Sequence, residues 1–418
     1  MAVKLGYKTT EMGVIPEEWE VSNLKGVSLK ITDGEHVTPR RELNGYYLLS
    51  ARNVLNGRID VSDVDYVGVA EYRRMKQRCG PEHGDILISC SGTIGRIAVV
   101  PPKFECVLVR SAALVKVDSK LADGIFLQFW LQGEKAQRQI ASSVNQGAQP
   151  NLFLNHIERL VCPKPPLPEQ RAIATALGDL DRLLDGLDRL ITKKRDLKLA
   201  AMQQLLSGQT RLPGFHCEWE PITLSQLGFA YGGLSGKSKA DFDSGNCPFV
   251  TFMNVMSNVV IDPAQLGNVR VSSSESQNLV IRGDLLFNGS SETPEEVALC
   301  AYVDCDIPDL YLNSFCFGFR LTDRSKTNGS FLAAFFRSSQ GREIVKSLAQ
   351  GSTRYNISKP ALTSAVLTLP ARDEQDAIWE VLADMDSEIT CLHDRIVKTR
   401  AIKQGMMQQL LTGKVRLV

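Results

Sequence analysis

Short polar stretches recur along this chain, and they gather the side chains that hydrogen-bond to base edges and phosphates. In the first half, His36, Thr38, Arg40 and Arg41 lie in DGEHVTPRR, and Arg52 and Asn53 follow the apolar run YYLLSA. Ser89, Ser91 and Thr93 close GDILISCSGT, and Gln146, Gln149 and Asn151 fall in QGAQPN. In the second half, Lys237 and Lys239 lie in SGKSK, Asn254 follows FVTFM, and Asn288, Ser290 and Ser291 form NGSS. Ser352, Thr353, Arg354 and Tyr355 complete the set in GSTRYN. Such residues read base edges in the grooves of double-stranded DNA and hold its backbone. They are also the residues that turns prefer, so composition leaves both readings open for each loop.

Signatures of catalysis are missing by comparison. Gly232 to Ser238, GGLSGKS, is one residue short of a phosphate-binding GxxxxGK[ST] loop. The 5 histidines form no HExxH, and neither a GxSxG elbow nor a GxGxxG turn is present. No Asn-Pro-Pro-aromatic tetrapeptide of adenine methyltransferases occurs. Asp63/Asp65 and Asp304/Asp306 read as turn or strand-end residues, and the 10 cysteines include no CxxC pair. The expectation is a binding protein with no catalytic residue, no metal site and no cofactor of its own.

The elements that must position these loops come in two sets. From Glu169 to Leu212 and again from Glu374 to Leu417 the sequence repeats at a constant offset of 205 residues, with 20 of 44 positions identical. Ile173, Leu177, Leu180, Leu184, Leu187 and Ile191 step by four and three, and Ile378, Leu382, Met385, Ile389, Leu392 and Ile396 match them. That is the seam of a coiled coil, expected to be antiparallel because a whole globular region separates the copies. Pro168 and Glu169 suit a first helical turn, and Gly208 and Gly413 suit its exit. The globular parts repeat too: Trp19-Glu20 with Trp219-Glu220, and GDILIS with GDLLFN. One aromatic-rich helix is expected near Phe126 to Val144 and another near Phe331 to Ala349. The fold class is therefore α+β, with two mixed α/β domains at 1–160 and 213–368. Two long helices, at 161–212 and 369–418, form an antiparallel coiled coil.

With 418 residues and 43% hydrophobic content, the chain can build sizeable cores. No apolar run approaches the ~20 residues that span a membrane, and the N-terminal residues lack a signal-peptide layout. A cytoplasmic protein with no membrane partner is expected. A net charge of +1 requires any DNA contact to come from local patches, or from a partner that clamps the phosphates.

The opening GYKTTEMGVIPEEWEV, the DGEHVTP loop, GDILISCSGTIGRIAVVP and the repeated PPLPEQRAIA…MQQLLSGQTRLPGF and EQDAIWE…MQQLLTGKVRL together resemble the specificity (S) subunits of type I restriction–modification systems. The resemblance covers essentially the whole chain. It implies two target-recognition domains, each reading one half of an interrupted DNA site, held by the helical spacer. It also implies docking of two methyltransferase (M) subunits that use S-adenosylmethionine. Restriction (R) subunits using ATP and Mg join through that assembly. The second half departs from the pattern, since GDLLFNGSSETPEEVALC lacks GTIG and the DGxHxTP loop has no clear copy. A stand-alone DNA-binding or scaffold protein of the same architecture is the alternative reading.

Overall fold

The structure, a computed structural model, describes residues 5–144, 150–242 and 245–417. It divides into two compact units, Met1–Asp188 with Asp394–Val418, and Arg189–His393. Each unit therefore takes one stretch of each long helix.

In the first unit the central sheet is antiparallel, in the order Ile97–Val99, Ile86–Ser89, Ala112–Val117, Ser28–Asp33. Strand alternation sends successive side chains to opposite faces. Ile86 and Ile88 pack with Phe126, Phe129 and Trp130, while Leu87 joins Leu49, Val54 and Leu108 on the other face. Burial on both sides explains why GDILIS reads as an unbroken apolar run. A second sheet sets Cys106–Leu108 parallel to Tyr46–Leu49, followed by Asp65–Val67 and Arg41–Glu42. Glu20–Asn23 pairs with Val161–Lys164.

The second unit repeats this topology. Its central sheet runs Gly228–Gly232, Cys316–Leu321, Asp284–Asn288, Cys300–Tyr302. Its second sheet runs Leu266–Val269, Cys247–Val250, Tyr311–Leu312, with the last two strands parallel. Leu285 and Phe287 face the helices and Leu286 faces Val250 and Leu312.

The expected single aromatic helices are each two. Gly124–Gln132 and Glu134–Ser143 break at Gly133, and Gly329–Arg337 and Ser339–Leu348 break at Ser338. Gly133 and Ser338 are both extended, and the Ser338 hydroxyl caps the new helix by accepting from the Gly341 amide. Apolar periodicity continues across the break, so the pattern alone could not mark it.

The long helices are Leu167–Leu205 and Arg372–Leu410, 39 residues each. Gly208 and Gly413 beyond them have φ of +71° and +69°, the left-handed exit that glycine adopts without strain. In the first unit Ile173, Leu177, Leu187 and Ile396 are buried and Leu180 and Leu184 half-buried. Asp181 pairs there with Lys403, and buried Glu169 takes both donors of Arg416 and the indole N–H of Trp19. In the second unit Ile191, Ile378 and Leu382 are buried and Met385, Ile389 and Leu392 half-buried. Lys198 pairs with Asp386, Lys194 with Glu388, and buried Glu374 with both donors of Arg211. Within each unit the pairings descend along one helix as they rise along the other, so the two stretches are antiparallel. Among the described residues no helix is long and apolar enough to cross a membrane.

Candidate nucleic-acid interface

Three of the first unit's polar loops converge on one short segment, Val109 to Ser111, between two buried strands. The Val109 amide donates to Leu49 O at 3.0 Å, and the Arg110 amide to Glu35 O at 3.0 Å. The Ser111 carbonyl accepts from the Cys90 amide at 2.8 Å, and its hydroxyl from the Ala51 amide at 3.0 Å. Loops 33–41, 50–53 and 89–95 are thereby fixed to a common point. The fourth loop joins through Ser91, which bridges Asn151, and through the Leu152 amide, which donates to Cys90 O at 2.9 Å.

Local chemistry shapes each loop. Gly34 lies so close to the Leu108 carbonyl that a Cβ there would sit at 2.2 Å, so only glycine fits. Glu35 accepts from the amides of His36 and Val37 and from Arg74, and these donors, Val37 first, hold its carboxyl below the usual range. His36 Nε2 sits 2.7 Å from Asp33. Asn53 is buried; its oxygen accepts from the Ser50 amide at 3.0 Å and its nitrogen donates to Asp60 O and Asp63 O. Ser89 is buried, donating to Thr93 O at 2.6 Å and accepting from the Arg96 amide at 2.9 Å. These two candidates organise loops with groups that are no longer available to a ligand. Thr38, Arg40, Arg41, Arg52 and Thr93 are exposed, and Ser91 and Asn151 are half-exposed. Arg52 reaches Asp65 at 3.0 Å and Asp63 at 3.5 Å, and Arg41 reaches Asp65 at 3.3 Å. Such exposed pairs contribute little and exchange readily for another anion. Gln146 and Gln149 lie outside the described residues.

The second unit builds the same convergence on Asn313 to Phe315. The Asn313 amide donates to Val250 O at 3.1 Å, the Leu234 amide to Leu312 O at 2.8 Å, and the Gly289 amide to Phe315 O at 2.8 Å. A Cβ on Gly233 would sit 2.2 Å from Asn313 O, the same close approach as at Gly34. GGLSGKSK is thus the structural counterpart of DGEHVTP, a correspondence hidden because only the glycine and the backbone path persist. Ser290 and Ser291 pair with Asn356 and Tyr355, and the Ile357 amide donates to Gly289 O, which brings GSTRYN beside NGSS.

Here too the asparagines turn inward. Asn254 is buried between the Asp262 amide and carbonyl, and like Asn53 it donates to a carbonyl several residues on. Asn288 is buried, donating to Ser290 O and Glu296 O and accepting from the Leu299 amide. The Lys237 side chain is only 4% exposed, tied to Glu275 and to Arg270 O. That hydrogen bond, first among several, holds the Glu275 carboxyl down at about 2. Ser290 and Ser291 are buried and Tyr355 half-buried, whereas Lys239, Ser352, Thr353 and Arg354 are exposed. Among the described residues Arg40 and Arg110 of the first unit and Arg354 of the second have no carboxylate within ion-pair distance, so each guanidinium keeps its donors for a phosphate or a base edge. The hub residues Arg110, Ser111, Asn313 and Phe315 were not among the sequence candidates. Their only sequence signal is a polar or exposed residue wedged between two buried runs, in CVLVRSAALV and YLNSFCFGF.

Residues 16–194 and 217–398 match the family model of the type I restriction modification DNA specificity domain. A putative type I restriction enzyme MjaX specificity subunit of Methanocaldococcus jannaschii is 23% identical, with 98% of this chain and 97% of that one covered. The EcoKI specificity subunit of Escherichia coli is 22% identical over 97% of this chain and 90% of its own. Among solved structures, the HsdS subunit from Thermoanaerobacter tengcongensis superposes with a TM-score of 0.54 at 17% identity, over 96% of this chain and 98% of that one. The type I S subunit from M. genitalium gives 0.56 at 14% identity, over 94% and 96%.

Proposed function

The chain belongs to the type I restriction modification DNA specificity family, whose specificity subunits are not catalytic, and we propose that it selects the DNA sequence on which such a complex acts. Double-stranded DNA is the ligand, and the site is bipartite and interrupted. The loops gathered at Val109 to Ser111 read one half-site and those gathered at Asn313 to Phe315 read the other. The observation that carries this reading is that two units of one topology bring matching loops to matching hubs while presenting different side chains.

Arg40, Arg41, Arg52, Thr38, Ser91, Thr93 and Asn151 are the contacts of the first reader, with His36, Gln146 and Gln149 beside them by sequence. Lys239, Ser352, Thr353, Arg354 and Tyr355 serve the second. Asn53, Ser89, Lys237, Asn254, Asn288, Ser290 and Ser291 set loop shape, which is how they influence recognition. Recognition domains 1–160 and 213–368 are separated by spacers 161–212 and 369–418. A helix of 39 residues is roughly 58 Å long, against the ~34 Å between successive major grooves on one face of a duplex. The repeated helix docks two M subunits, which supply S-adenosylmethionine, and R subunits with ATP and Mg join them in the cytoplasm.

The test is to assemble the chain with its methyltransferase subunits and map methyladenine. One interrupted motif is expected. A continuous motif, or a stable complex that methylates nothing, would count against the proposal.

A further inference from the structure

Met253 and Phe315 are 63% and 60% exposed on the second unit. One exposed apolar side chain needs no explanation, but the register of the two units gives these two a place. Leu108 pairs with Leu49, and Leu312 with Val250. Counting outward from those pairs, Met253 stands where the first unit has Arg52, and Phe315 where it has Ser111. One matched position belongs to the hub and the other to a loop anchored on it.

Neither side chain sits on slack backbone. The Phe315 amide donates to Asn313 Oδ1 at 2.9 Å and its carbonyl accepts from Gly289. Met253 is the second residue of the short helix Phe252–Ser257, capped by the Thr251 hydroxyl. The far end of that helix is held by Arg337, a guanidinium whose pKa burial lowers. It donates to the carbonyls of Val255, Met256, Asn258 and Cys300. In the first unit Gln132 stands in its place and, among the described residues, donates to the single carbonyl of Ile97. The second unit thus uses a half-buried cation to fix the element that presents an apolar side chain to water.

Two rigidly presented apolar groups, set in loops whose other exposed side chains include Lys239 and Arg354, match the one apolar feature of the major groove, the C5 methyl of thymine. Resting on the functional reading above, we propose that Phe315 and Met253 are specificity-determining residues that contact thymine methyl groups in the half-site read by the second unit. The first unit, with Arg52 and Ser111 at these positions, reads polar edges there.

The test uses the complete complex with methyltransferase subunits and duplexes carrying its methylated motif. Each thymine is replaced singly by deoxyuridine, which removes only the methyl. Binding should weaken about fourfold at one or two positions of a single half-site, the ratio expected for one buried methyl-sized group. Phe315→Ser should abolish that sensitivity and relax base preference at the same position, leaving the other half-site untouched, while Phe315→Leu keeps it. Three results would overturn the inference: half-sites without thymine, binding indifferent to uridine everywhere, or variants that weaken all sequences equally. Failure of the wild-type complex to bind thymine DNA would instead sink the functional reading itself.

Discussion

The two units solve one loop-closing problem with different side chains. In the first, the strand Ile86–Ser89 ends in a serine whose short reach closes a tight turn on Thr93 and Arg96. In the second, the strand Asp284–Asn288 ends in an asparagine whose longer amide spans to Glu296 and Leu299. One buried residue at the strand end therefore sets how much loop is displayed. Asn53 and Asn254, by contrast, are the same residue doing the same work, each pinning the segment that follows. The frame is kept and the displayed loops vary. That division is what two readers of unlike half-sites on one scaffold require.

The largest expected effect comes from the frame. Glu169 and Glu374 are both buried and both held by an arginine, but Glu169 also accepts from Trp19, while the Trp219 indole N–H has no partner among the described residues. Glu169→Ala should destabilise the first unit by about 3 kcal/mol, because the buried Trp19 indole N–H loses its acceptor and Arg416 is left with only the exposed Glu18. Glu374→Ala should cost less. Urea unfolding of the two variants checks the order, and equal losses would mean that the Trp19 hydrogen bond adds nothing. Next come the shared clamps. Asn53→Ala and Asn254→Ala should each cost about 2 kcal/mol, because buried backbone groups lose their partners. Each should blur one half-site, a different one in each variant, in methylation mapping.

The smallest effect is in pH dependence. Burial, the largest influence, pushes the Asp85 carboxyl above its ordinary value, with Lys116 at 3.7 Å opposing it. The folded state thus holds this proton more tightly than the unfolded chain does. The contribution is full below the unfolded value of about 3.9 and is lost as pH rises through the higher folded value. Asp85→Asn should flatten that part of the thermal stability profile. An unchanged slope would remove Asp85 from the account.

Much of this was legible in the sequence. The helical repeat was, because apolar residues at four-three spacing, copied at a constant offset, specify two helices with matching seams. The polar loops were also legible, since their residue types mark both turns and DNA contacts. Direction was not: Asn53, Asn254 and Asn288 read like base readers, and only burial reveals that their amides satisfy their own loops. The match between GGLSGKSK and DGEHVTP was hidden because it resides in backbone hydrogen bonds. The hubs were missed because Ser111 and Phe315 sit inside apolar runs that register as strand.

Mapping the methylated motif made by complexes that contain the wild-type chain, Arg52→Ala or Arg354→Ala tests the central claim most directly. The account predicts that each variant relaxes one half-site by about 1–3 kcal/mol of discrimination, and that the two affect opposite halves. Relaxation of the same half by both, or a uniform loss across all sequences, would contradict it.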